Sequence, residues 1–251
     1  MEDHAQRYYA YQTAARGLFD AASLRRRFDV LAPWYAQRLR DHLPRDREAA
    51  WLDVPCGSGN FLYFLRWIGY RHVTGCDSDP EQVRLARLLD LPAETADALA
   101  VLADDQRRWD AISALDFVEH LSRDDALRFL DLCRARLRAG GVLILRTPCA
   151  DGPFGAHDRY NDLTHQWAMT SNLAVAVMAM VGFERVAILD ERPQPTGPVN
   201  AGRWLVSRLA TAVAATLCHT VGVAPPRVWT RSMWVIGYRP GESCGDRPAA
   251  G

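Results

Sequence analysis

Asp53-Val54-Pro55-Cys56-Gly57-Ser58-Gly59-Asn60-Phe61 follows the short apolar run Ala50-Trp51-Leu52 and leads into Leu62-Tyr63-Phe64-Leu65-Arg66-Trp67-Ile68. The order is strand, glycine-bearing turn, helix. Glycine adopts positive φ without a Cβ penalty, so such a turn brings backbone amides to a ligand at a helix N-terminus. Asp77 stands 24 residues beyond Asp53, at the end of a second apolar run over residues 72–77. A strand-end carboxylate there accepts hydrogen bonds from the two hydroxyls of a ribose, which implies a nucleoside-containing ligand. A dinucleotide fingerprint would need a third glycine, and Phe61-Leu62 stands in its place.

Working outward, strand-like and helix-like runs alternate. A helix is expected from Pro80 to about Leu89, a buried strand over 110–115, and a helix capped by Ser122 and Asp125 carrying Ala126, Leu127, Leu130 and Leu137 on one face, stopped by Gly140-Gly141. A strand over 142–145, a helix over 170–181, a strand over 186–189 and a last strand over 228–238 complete the pattern. Strands separated by helices imply an α/β fold with a mostly parallel sheet and right-handed crossovers. Before this core, Phe19, Leu24, Phe28, Leu31, Tyr35 and Leu39 recur at helical spacing, so residues 1–48 read as an N-terminal helical flap. The core domain is expected over 49–240, with an acceptor loop at 149–169 and a helical insertion at 192–226 between the last two strands. Residues 241–251 are polar and Gly/Pro/Ala-rich, a composition expected to be disordered.

The chain has 251 residues, 49% of them apolar, enough for one sizeable core. Thirty cationic residues balance thirty acidic ones, so no global positive field gathers nucleic acid, and no nucleic-acid partner is expected. All thirty cations are arginine; without lysine, Schiff-base chemistry on a side-chain amine is excluded. The six cysteines form no C-x-x-C pair and no zinc-type spacing with histidine. The opening Met1-Glu2-Asp3-His4 has no apolar signal segment, and a cytoplasmic location is expected.

Four motifs occur in order: residues 52–61, Gly75-Cys76-Asp77-Ser78-Asp79, Asp116-Phe117-Val118-Glu119-His120-Leu121 and Leu137-Arg138-Ala139-Gly140-Gly141-Val142. Together they resemble the class I S-adenosylmethionine-dependent methyltransferases over about residues 50–190. The resemblance implies a Rossmann-like seven-stranded sheet with helices on both faces, S-adenosylmethionine as cofactor and S-adenosylhomocysteine as product. It implies that Gly57 and Gly59 pass beneath the methionine part, that Asp77 holds the ribose and Asp97 the adenine amino group, with Asp53, Pro55, Ser78, Ala98 and Asp116 around the same site. Pro55 stands where the family usually has glycine, and it removes one backbone donor.

The acceptor side is expected after the fourth and fifth strands, with Phe117, His157, Tyr160 and Trp167 as acceptor-binding residues. Loops on that rim commonly carry the second substrate. Thr164-His165-x-Trp167 is similar to a string in methyltransferases of ubiquinone biosynthesis and in sugar-modifying relatives. An alcohol acceptor must lose its proton, and a histidine suits that task; His165 is the first choice and His120 the second, each weighed against a structural role. No metal is expected, because His157, Asp158 and Asp162 supply too few converging oxygens for Mg²⁺. Residues 204–217 are too short and interrupted for a bilayer span; they read as core packing or a lid, with peripheral contact to a lipid-linked substrate as the lesser reading. The function expected is O-methylation of a small-molecule or glycan hydroxyl. N- or C-methylation of a metabolite or quinone, or cofactor binding without turnover, are the alternatives.

Overall fold

Residues 50–53 are held on both sides: in the computed structural model Trp51 pairs with Val73 of one neighbouring strand and Ala111 of the other, both parallel. The model describes residues 7, 8, 11, 14, 15, 17, 20–104, 106–152, 155–192 and 197–241. Its strands are β1 (Trp51–Asp53), β2 (Val73–Asp77), β3 (Ala93–Thr95), β4 (Trp109–Leu115), β5 (Leu137–Pro148), β6 (Glu184–Asp190) and β7 (Ser232–Tyr238). They form one sheet in the order β3-β2-β1-β4-β5-β7-β6, with β7 antiparallel to both its neighbours. The Rossmann-like seven-stranded expectation is met. The order reverses between β1 and β4, and at that switch point the carboxyl ends of the strands open a ligand crevice.

The helices are α1 (Ala21–Leu39), α2 (Asn60–Trp67), α3 (Pro80–Arg87), α4 (Ala98–Asp104), α5 (Arg123–Arg136), α6 (Gly155–Tyr160), α7 (Ser171–Val181) and α8 (Pro198–Thr220). Local chemistry explains their starts. Asp79 accepts from the Glu81 N–H with Pro80 at the first helical position, Ser122 accepts from Asp125 N–H, and Thr170 from Leu173 N–H.

Three sequence expectations change. Gly140-Gly141 does not stop α5: the helix ends at Arg136, and Leu137 is already extended and paired with Trp109. Pairing with β4 captures the chain earlier than glycine would release it. A Cβ at Gly141 would meet the Asp110 carbonyl oxygen at 3.1 Å, so glycine there serves a close strand approach. β3 and α4 were not legible, because a strand of three residues and a helix of seven carry too few periods to register.

The N-terminal helix is no flap. Asp20 and Ser23 form a capping box, and Leu24, Phe28, Ala32, Tyr35 and Leu39 bury one face of α1. Tyr35 stacks edge-on against Phe61 at 5.4 Å and Trp234 at 5.8 Å, so α1 closes the same core as β1, α2 and β7. Phe19 lies outside the described residues. The insertion helix α8 forms, but none of its residues is buried, so core packing is not its role. Pro193, Pro195 and the tail residues 242–251 lie outside the described residues. Among the described residues no helix is long and apolar enough to cross a membrane.

Candidate functional site

The glycine loop is bolted to both neighbours of β1. The Val54 N–H donates to the Ser113 carbonyl at 2.8 Å and the Cys56 N–H to the Cys76 carbonyl at 2.8 Å. Beneath it, the Ser113 hydroxyl donates to Asp53 at 2.5 Å and the Trp51 indole N–H to Ser113 at 3.1 Å. Asp53 is fully buried, and desolvation pushes its carboxyl up to about 8. Asp53 is therefore a foundation under the loop, not a surface ready for a ligand.

Asp77 closes the crevice. Its carboxylate accepts the Gly57 N–H at 2.8 Å and the Asp79 N–H at 2.9 Å, which opposes the upward pull of burial on its pKa. A carboxylate oxygen has two lone pairs, so each retains one for a ligand hydroxyl. Gly57 has φ +51 with nothing among the described residues within 4 Å of where a Cβ would stand, whereas a Cβ on Gly59, φ +85, would meet Leu91 Cδ1 at 2.5 Å. One glycine faces an open cradle and the other a packed wall. Gly57→Ala should therefore lower the melting temperature little, at the roughly 1–2 kcal/mol strain of left-handed backbone, while weakening cofactor binding. Gly59→Ala should destabilise by about 2–4 kcal/mol through strain plus overpacking. Thermal melts with and without cofactor separate the two, and equal loss of fold in both would defeat the cradle assignment.

Further along this rim, exposed Asp97 accepts the Ala100 N–H at 2.8 Å and so caps α4. Ser78 is exposed and Ala98 buried. Asp116 follows β4 at φ +53, a strained value for a non-glycine residue, and ion-pairs with Arg146. Arg146 also reaches Glu191 at 2.6 and 3.0 Å. Asp116 is thus tied to a three-residue charge network.

The acceptor rim is made by two segments some 45 residues apart. Val118–His120 forms a 3₁₀ turn after β4, and residues 162–167 fold back onto it. Gln166 N–H donates to the Glu119 carbonyl at 2.8 Å, its side-chain amide to the His120 carbonyl at 2.7 Å, and the Trp167 indole N–H to the Val118 and Leu121 carbonyls at 3.1 Å. His120 and His165 meet edge to face with centroids 4.7 Å apart.

Hydrogen bonds assign the two rings. Thr164 donates its hydroxyl proton to Asp162 at 2.6 Å, so it accepts from Nδ1–H of His120 at 2.8 Å, and Nε2 of His120 is the basic nitrogen. His165 donates Nδ1–H to the Asp158 carbonyl at 2.8 Å, and its Nε2 faces Glu119 Oε1 at 3.9 Å. Glu119 is 1% exposed; Oε2 accepts the Thr147 hydroxyl at 3.0 Å, and Oε1 has no hydrogen-bond partner among the described residues. Burial first, then Asp116, holds its pKa well above the usual carboxylate range.

A family model described as a methyltransferase domain matches residues 23–178. The chain belongs to the class I methyltransferase family. It is 28% identical over 169 residues to a tRNA U34 carboxymethyltransferase of Pseudoalteromonas translucida, covering 62% of this chain and 51% of the relative. It is 32% identical over 104 residues to a ubiquinone biosynthesis O-methyltransferase of Cereibacter sphaeroides, covering 38% and 40%. The chain spans about half the length of the curated relatives it matches. Its fold is shared with an S-adenosylmethionine-dependent methyltransferase of Archaeoglobus fulgidus, TM-score 0.63 at 19% identity, covering 82% of this chain and 94% of that one.

For this methyltransferase fold the cofactor rim fits its expected occupant: an open cradle at Gly57, a helix N-terminus at Gly59 without a side-chain cap, and the Asp77 carboxylate between them. Of the residues expected on the acceptor side, Tyr160 and Trp167 line an open cleft of about 390 Å³ together with Arg123, Arg159 and Gln166. Phe117 packs against Phe129 at 5.1 Å, and exposed His157 contacts Asp158 at 3.1 Å; neither lines the cleft. The acids considered for Mg²⁺ are engaged elsewhere, Asp158 with Arg231 and Asp162 with Thr164. Glu119, His120 and His165 instead bring three ligand-type atoms within 4.8 Å of one another. Sequence reasoning missed Arg146, Thr147, Arg123 and the Asp162–Thr164 pair, whose roles arise only from contacts between distant segments.

Proposed function

We propose that the chain transfers the methyl group of S-adenosylmethionine to a hydroxyl oxygen of a small-molecule or glycan acceptor, without a metal. The observation that carries this reading is the hydrogen-bonded series Asp162–Thr164–His120, whose histidine follows β4, the strand that neighbours β1 and its glycine loop. Bound at Gly57, Gly59 and Asp77, the cofactor supplies a methyl group already activated by its sulfonium. His120 would take the acceptor's hydroxyl proton on Nε2 as the methyl group passes from the sulfonium sulfur to the acceptor oxygen. Asp162, whose pKa is lowered because its bonds to Thr164 outweigh the upward pull of burial, fixes the tautomer through that hydroxyl and favours the imidazolium that results. His165, anchored to the Asp158 carbonyl and facing Glu119, positions the second ring. The hydrogen bonds thus favour His120 over His165 as the base, the reverse of the order expected from sequence. The balanced net charge supports a compact acceptor.

Radiolabelled S-adenosylmethionine offered with sugars, phenols, lipid-linked glycans and bulk tRNA, each with and without EDTA, tests the proposal. Label is expected on a small-molecule oxygen at equal rates in both conditions. Label in tRNA would replace the acceptor class, label on nitrogen or carbon would replace the reaction, and loss with EDTA restored by a divalent cation would turn the Glu119–His120–His165 cluster into a metal site.

A further inference from the structure

Helix α8 is built the wrong way out for a helix that belongs only to its own domain. Ser207, Thr211, Ala214 and Cys218, spaced as one face, are its half-shielded side, and that side is small or polar. Roughly 150° round the helix lie Leu205, Leu209, Val213 and Leu217, with Val206 beside them. These five side chains are 53–66% exposed. An amphipathic helix normally turns such a stripe inward.

We infer that α8 docks this methyltransferase, apolar face down, on the surface of an anionic lipid bilayer. Charge is the first argument: residues 192–241 contain six arginines and no aspartate or glutamate, in a chain whose thirty cations and thirty acids balance only as a whole, and of the six Arg192 and Arg231 pair with Asp190 and Asp158. Arg203 and Arg208 lie on α8 itself, Arg208 over the ring of exposed Trp204 at 6.0 Å, an aromatic and cationic pairing suited to headgroup depth. Area is the second argument. The helix is about 35 Å long and its stripe about 10 Å wide, so pairing with a second copy would bury about 350 Å² per partner, against about 800 Å² in a standard stable interface. A bilayer has no such threshold, since apolar burial and headgroup attraction add residue by residue. Because β6 runs parallel to β5, β4, β1 and β2, α8 leaves the sheet at the same edge as the crevice, so docking would bring that edge toward the lipid surface.

Sedimentation of the full chain with vesicles tests this independently of any methyl transfer. Partitioning onto phosphatidylglycerol–phosphatidylcholine vesicles is expected to exceed that onto pure phosphatidylcholine by roughly tenfold or more and to fall with added salt. Leu209→Ser with Val213→Ser should abolish binding while leaving the melting temperature and cofactor affinity unchanged, and Arg203→Glu with Arg208→Glu should remove the preference for anionic lipid. No binding to either vesicle, or binding that survives the serine pair, overturns the inference. So does a dimer in light scattering that the serine pair dissolves, because it would assign the stripe to a second copy.

Discussion

His120→Ala is expected to lower turnover by about 10² to 10⁴, the usual contribution of a positioned general base, with cofactor affinity nearly unchanged. The magnitude rests on the tautomer. With Nδ1–H committed to Thr164, the ring has one basic nitrogen, and burial, with the neighbouring His165 second, lowers its pKa from the ordinary 6.5. A base with a lowered pKa stays unprotonated at neutral pH, so the acid limb of the kcat profile should lie below pH 6.5 in the parent and vanish in the variant. Thr164→Val should lose part of the rate and shift that limb without removing it, since it leaves the ring but frees its tautomer. His165→Ala should cost less than His120→Ala. If His165→Ala proves the larger loss, the assignment of the two rings is reversed. If turnover survives both, the acceptor needs no base, as a phenolate or a nitrogen nucleophile would not.

Asp77→Ala should weaken S-adenosylmethionine binding roughly a hundredfold, about 3 kcal/mol for two charge-assisted hydrogen bonds to a ribose. The same carboxylate holds the Gly57 and Asp79 amides, so part of that loss comes from a loosened loop. Asp77→Asn keeps the side-chain shape and one acceptor oxygen but turns its NH₂ toward one of the two backbone amides. Affinity should fall by about tenfold, the loss of one such bond, with a smaller drop in melting temperature than Asp77→Ala shows. Calorimetry showing unchanged affinity in both variants would remove Asp77 from the site.

Much of the geometry of the glycine loop was legible in the residues themselves. A strand, a glycine turn and a helix are local objects, set by hydrophobic period and by the few residues that tolerate positive φ, so Gly57, Gly59 and Asp77 were found where the loop needed them. Even there, sequence could not tell the open glycine from the walled one, since Leu91 and Ala86 reach Gly59 from the next strand–helix unit.

The order of motifs along the chain determined the class of fold, the placement of the crevice at β1 and the family, because each depends on short-range patterning repeated in sequence. Tertiary structure alone decided the rest. It turned the supposed N-terminal flap into a wall of the core, since Tyr35 finds Phe61 and Trp234 only across the sheet. It joined Val118–His120 to residues 162–167 through backbone carbonyls that no side-chain pattern announces. It gave each histidine its tautomer, because a proton's position is set by whichever acceptor lies within about 3 Å. It also turned the apolar face of α8 outward, because a period of 3.6 specifies an apolar stripe and says nothing of which way the stripe will face.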